Sequence, residues 1–186
     1  MPAMKLPHPA TSLTTFQTWP HRKTFLPDLC EGLVASLMKD RYPESPVIWS
    51  GGHRAKVDVT CGSFAIDVKR AVLEPRKLDG QDHKCIEFMG SDRTPQARDG
   101  VTHYALVVTE GDVDVDFGTD FTFRVTADRL RFRVYLIPAE VINDREVFRK
   151  TIATRGKNKG NLSTRLSETA KTTDLERWII ADTLTQ

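Results

Sequence analysis

The sequence predicts an α/β domain: a mixed central β-sheet flanked by helices. Three observations predict it. Residues 27–41 carry an apolar stripe at helical spacing. Residues 56–69 alternate apolar and polar positions around a Gly-Ser reversal. Residues 104–108 (YALVV) are almost continuously apolar, as a strand buried on both faces requires.

Residues 1–26 hold Pro2, Pro7, Pro9 and Pro20, with Phe16 and Trp19 among Thr and Ser. They read as an extended arm that wraps the domain or a partner, or equally as a partly ordered tail. A helix is predicted over 27–41, opening at Pro27 or Asp28, with Leu29, Leu33 and Leu37 in register and Val34 and Met38 beside them. Asp28 and Glu31 suit its positive end, Lys39 and Arg41 its last turn, and Tyr42-Pro43 ends it. Val47 to Trp49 is a short strand and Ser50-Gly51-Gly52 a turn. Lys56 to Thr60 and Phe64 to Lys69 form a hairpin about Gly62-Ser63.

Residues 71–82 are polar and bear Pro and Gly, which predicts a loop; Cys85 to Met89 is a strand, and 90–100 a polar loop. After the buried strand, residues 110–120 carry Glu110, Asp112, Asp114, Asp116 and Asp120, an exposed connection. Phe121 to Val125 and Phe132 to Ile137 are further strands, and Pro138-Ala139-Glu140 opens a short helix. The segment 141–171 is the most basic, and a final helix with Leu175, Trp178 and Ile179 on one side closes the chain. The organisation is therefore an arm (1–26), a core (27–142) and a basic C-terminal helical segment (143–186) of the same domain.

The bulk numbers fit one domain. The chain has 186 residues, 39% hydrophobic and 28% charged, in the range of soluble globular proteins. A net charge of +2 excludes a histone-like binder, but it suits an enzyme whose acidic metal site offsets a basic face. Cys30, Cys61 and Cys85 are scattered, with no zinc spacing, and read as reduced thiols in a cytoplasm. No apolar run is long enough to span a membrane, and no signal-peptide core is present at the N-terminus.

The chemistry concentrates on Asp58, Asp67 and Lys69. Two carboxylates on neighbouring strands of a hairpin can converge on one hard cation, and Mg²⁺ prefers oxygen ligands. Asp67 and Lys69 are two apart on one strand, so they share a face. A lysine there can orient an attacking water and lend positive charge to a phosphate, the arrangement for phosphodiester hydrolysis. The string D-x(8)-D-x-K also occurs in many unrelated chains, and alternating charge on a strand is usually a solvated face, so the string alone leaves both readings open.

Its setting resembles the PD-(D/E)XK nuclease superfamily, with its restriction-endonuclease-like core in the order αβββαβ. KVDVTCGSFAIDVKRA (56–71) is similar to the family's D…(D/E)xK hairpin. HYALVV (103–108) and FRVYLIPAEVI (132–142) resemble the section that follows it in bacterial and phage members, a group I intron-associated branch included. The resemblance covers roughly 27–142. It implies Asp58 and Asp67 as metal ligands with the Val68 carbonyl as a third, Lys69 as the catalytic lysine, and Glu31 as the helix glutamate that assists the metal. It also implies Mg²⁺, with Mn²⁺ substituting, double-stranded DNA as substrate, and a homodimer. The chain departs from the pattern in Val57, where Pro often precedes the first Asp, and in the lack of a clean amphipathic helix over 71–100.

The expected function is a Mg²⁺-dependent DNA endonuclease, a sequence-specific type II restriction-like enzyme first, then a homing or phage nuclease, or a junction-cleaving repair enzyme. The rival from another class is a non-catalytic nucleic-acid-binding module of the same fold. Glu31 has the alternative role of a helix-dipole partner. Arg70 points away from Lys69 and is structural or phosphate-facing. The loop Arg155 to Asn161 (RGKNKGN), with Arg155, Lys157 and Lys159, suits phosphate contact or is an ordinary surface turn. His53 and His83 are read as loop histidines without the pattern of a general base. Asp112 to Asp116 is read as a solvated hairpin loop, not a calcium loop.

Overall fold

Leu33, Val34, Leu37 and Met38 form the buried face of α1 (Arg22–Arg41), the stripe that the leucine spacing predicts. The structure, a computed structural model, describes residues 22–50, 57–78, 81–90, 100–110, 114–117, 123–126, 130–152 and 162–184. α1 begins earlier than Pro27 or Asp28, so residues 22–26 belong to the helix and not to an arm. Pro27 stands in its second turn, where the missing N–H forfeits one backbone bond while RKTFL continues the helix before it. Lys39 and Arg41 occupy the last turn, as expected.

Strands follow. β1 (Val47–Trp49), β2 (Val59–Cys61), β3 (Phe64–Leu78) and β4 (Gln81–Gly90) precede β5 (His103–Glu110). Then come β6 (Asp114–Phe117), β7 (Phe123–Thr126), β8 (Arg131–Pro138), α2 (Ala139–Asn143), β9 (Phe148–Ile152) and β10 (Leu162–Leu166). A 3-10 turn (Thr172–Trp178) leads into β11 (Ile179–Asp182). Among the described residues nine strands make one sheet in the order β11-β8-β5-β3-β4-β10-β9, with β2 also on β3 and β1 on β2; β6 and β7 pair separately. Among the described strands only β3 and β5 run parallel; the other pairs are antiparallel, so the sheet is mixed.

Further sequence expectations change. Residues 71–78 are strand, not loop, because they pair residue for residue with 81–88 of β4. Pro75 is tolerated there because it lies beyond Ala71, where β5 stops pairing with β3, on an edge with no described strand. Second, no helix lies between β3 and β5 among the described residues, so the second core helix of an αβββαβ order is not found there. Third, among its described residues the C-terminal segment holds the strands β9, β10 and β11 and one 3-10 turn rather than an α-helix. Leu175 and Trp178 are three apart, which suits the tight 3-10 turn, and Ile179 already pairs with Tyr135 of β8.

The sheet has an apolar core on each face. Ile66 and Val68 of β3, Ala105 and Val107 of β5, and Val134 and Leu136 of β8 pack with α1. Ala71, Tyr104, Leu106, Val108, Tyr135 and Ile137 pack on the other face with Phe148, Leu166 and Leu175. β5 contributes to both, which is why YALVV is apolar throughout. Cys30, Cys61 and Cys85 are all buried free thiols. No helix among the described residues is long and apolar enough to cross a membrane.

Candidate active site at the open edge of β3

Gly62 adopts a left-handed φ of 56°, which lets the chain reverse between β2 and β3. The register then runs Cys61 to Phe64, Thr60 to Ala65 and Val59 to Ile66. At the next step the pairing breaks. Val59 is the register partner of Ile66, yet the Asp58 N–H reaches the Ile66 carbonyl at 2.9 Å. Two residues on one strand thus answer one on the other, the geometry of a β-bulge, which re-aims a side chain. The Asp58 carboxylate turns to β3 and accepts the Val68 N–H at 2.7 Å.

β4 joins the same edge of β3 only at Ala71. Residues 67–70 therefore border a gap in which no described strand pairs, and Asp58 fills it. In a strand, the N–H and C=O of one residue face the same edge. The Val68 carbonyl consequently shares the edge at which Asp58 sits.

Strand alternation sends Asp67 and Lys69 to the face opposite α1. Their side chains form an ion pair, Lys69 Nζ on Asp67 Oδ1. Asp67 is 1% exposed, and its neighbour in the parallel register is the buried Tyr104. Glu31 comes from the other side, on α1, and is 7% exposed. It lies in the helix interior, not the first turn, so its alternative role as a dipole partner falls away. Its Oε2 accepts the indole N–H of Trp49 at 2.9 Å.

The electrostatics tie the group together. Burial pushes the Asp58 carboxyl up, from 3.8 to about 7; the nearby charges of Glu31 and Asp67 push the same way, while the Val68 amide and Lys69 act against them. A buried carboxylate surrounded by two others is a site with excess negative charge, a common mark of a functional site. The donor chemistry, carboxylates and a carbonyl, suits a hard divalent cation, which would relieve that excess. Among the described residues no three His, Cys, Asp or Glu side chains are grouped as ready ligands. In this structure Asp67 holds Lys69, and Asp58 holds the Val68 amide.

The Asp58 carboxylate thus bonds the Val68 amide and lies within electrostatic reach of Glu31, Asp67 and Lys69, while Glu31 and Asp67 approach from opposite sides of the sheet. Arg70 is exposed on the opposite face from Lys69, close enough to Cys30 to lower its thiol, which burial pushes up to about 12. Arg155, Lys157, Lys159, His53 and Asp112 lie outside the described residues. His83 lies in β4 rather than in a loop. Asp114 and Asp116 lie in β6, and the side chains there are outside the described set. The sequence placed Trp49 on a strand but gave it no role in the site, because its bond to Glu31 spans 18 residues of sequence and has no local signal.

No protein-family model, no curated protein and no solved structure matches the chain.

Proposed function

We propose that the chain is a Mg²⁺-dependent DNA endonuclease on a restriction-endonuclease-like core, acting as a homodimer on duplex DNA, most simply a type II restriction-like enzyme. The observation that carries this reading is the meeting of Asp58, Asp67 and Lys69 at a break in strand pairing, with Glu31 beside them.

Asp58, Asp67 and the Val68 carbonyl would hold the cation, with Glu31 assisting. When bound, Mg²⁺ acidifies water and offsets charge on the phosphate. The chain's own residues do the rest. The Lys69 ammonium leaves Asp67 to orient the attacking water and to stabilise the charge that grows on the phosphoryl oxygens. The Val68 amide keeps the Asp58 carboxylate aimed at the gap. The rigid strands β3 and β5 hold Asp67 and Lys69 at fixed spacing, so little ordering is left for the reaction step. Arg70, with Arg155, Lys157 and Lys159, would contact the phosphate backbone.

The test is digestion of plasmid and phage genomic DNA with Mg²⁺, comparing wild type with Asp67→Ala and with an EDTA control. Discrete fragments that vanish in both controls support a sequence-specific nuclease; a smear that vanishes supports a nuclease of low specificity. A folded wild type that cuts no DNA points instead to the binding module.

A further inference from the structure

Glu31 sits on a helix and Asp58 at the bend that precedes β2, so something must set one against the other. Residues 49 and 50 touch both. The Trp49 indole N–H donates to Glu31 Oε2 at 2.9 Å, and the Ser50 N–H donates to the Asp58 carbonyl at 2.9 Å. Trp49 is also the register partner of Val59, the residue after Asp58. The indole lies over α1 at Gly32, next to Glu31; a Cβ built there would meet the ring at 3.5 Å. Ile48, pointing the other way on β1, is 61% exposed, so β1 turns its indole inward and its isoleucine out.

We propose that Trp49-Ser50, at the end of β1, is a positioning clamp for the site, an inference that rests on the nuclease reading above. The indole fixes the rotamer of the Glu31 carboxylate, and the Ser50 amide fixes the main chain that carries Asp58. One dipeptide therefore sets the two acids' relative placement before any cation arrives. A hydrogen bond from a fixed indole narrows the rotamers open to a glutamate side chain. Partners that orient metal ligands in this way are typically worth about 10–100-fold in affinity or activity. Trp49 touches neither substrate nor ion; it acts through Glu31.

The test uses the full chain and Trp49→Phe, which keeps an aromatic ring and removes the N–H. Mn²⁺ binding is measured by calorimetry, alongside the thermal midpoint and DNA cleavage. The clamp predicts about tenfold weaker Mn²⁺ binding and a similar drop in cleavage, with the midpoint little changed. In a Glu31→Ala background, Trp49→Phe should produce no further loss. A metal-free arm follows the Trp49 indole N–H resonance, assigned by its absence in Trp49→Phe. Glu31→Gln should move it upfield, because a neutral acceptor binds the N–H less strongly than a carboxylate does. Unchanged Mn²⁺ affinity, an equal loss in the Glu31→Ala background, or a resonance that ignores Glu31→Gln would each overturn the clamp. A wild type that neither takes up Mn²⁺ nor cuts DNA removes the nuclease reading instead, and the indole resonance alone then decides whether Trp49 holds Glu31.

Discussion

The Val68 amide donates to the Asp58 carboxylate at 2.7 Å, in the one stretch of β3 edge that β2 has left and β4 has not yet joined. A side chain there completes what a strand would otherwise complete. In the proposed reading, the same break that leaves the edge open makes room for the reaction.

That placement has a cost in stability. The Asp58 carboxyl titrates near 3.8 when unfolded and near 7 in the folded chain. Between those values the folded state binds more protons, so the group's contribution is fully present below 3.8 and is lost as pH rises through about 7. Asp58→Asn removes the charge and keeps an acceptor for Val68. In EDTA, the variant should melt higher than wild type at pH 8, and by a smaller margin at pH 5. Equal shifts at both pH values would show that burial of this charge does not matter.

The C-terminal strand depends on a half-buried ion pair. Arg133 of β8 donates to Asp182 of β11 at 2.7 Å and to the Tyr135 hydroxyl at 3.4 Å. Both charged side chains are about one-fifth exposed. Asp182→Ala strands the guanidinium, and the loss should fall between that of a surface pair and a fully buried one, about 2 kcal/mol in urea unfolding. The double change Arg133→Met with Asp182→Leu should cost less than Asp182→Ala alone, since no uncompensated charge remains.

The thiols offer a simple check of the packing. Cys30, Cys61 and Cys85 are all buried, and burial raises the pKa of Cys30 and of Cys61. Reactivity follows the exposed thiolate. A thiol reagent should therefore label none of the three rapidly in the native protein and all three after denaturation. Rapid native labelling of Cys61 would mean that the β2–β3 hairpin is not packed as described.

Much of the site was legible because its signal is local. Asp67 and Lys69 are two apart on an alternating strand, and Gly62-Ser63 marks the reversal that returns the chain past Asp58. The stripe of α1 and the apolar run of β5 were legible for the same reason. The β3–β4 extension was not: Glu74-Pro75-Arg76-Lys77 looks like loop because a two-stranded ribbon past the end of β5 has little core to face. The start of α1 was misjudged because Pro27 imitates a first-turn proline. A closing helix was expected from the i, i+3 spacing of Leu175 and Trp178, which a 3-10 turn shares with a helix. The bond from Trp49 to Glu31 has no local signature at all, since it depends on how β1 packs on α1.

The central claim is that Lys69 and its two aspartates do chemistry rather than hold the fold. Lys69→Ala tests it most directly. Duplex binding is measured by gel shift with Ca²⁺, and single-turnover cleavage with Mg²⁺. The account predicts binding within a few-fold of wild type and cleavage slower by about 10²–10³. Cleavage at the wild-type rate in Lys69→Ala would contradict it.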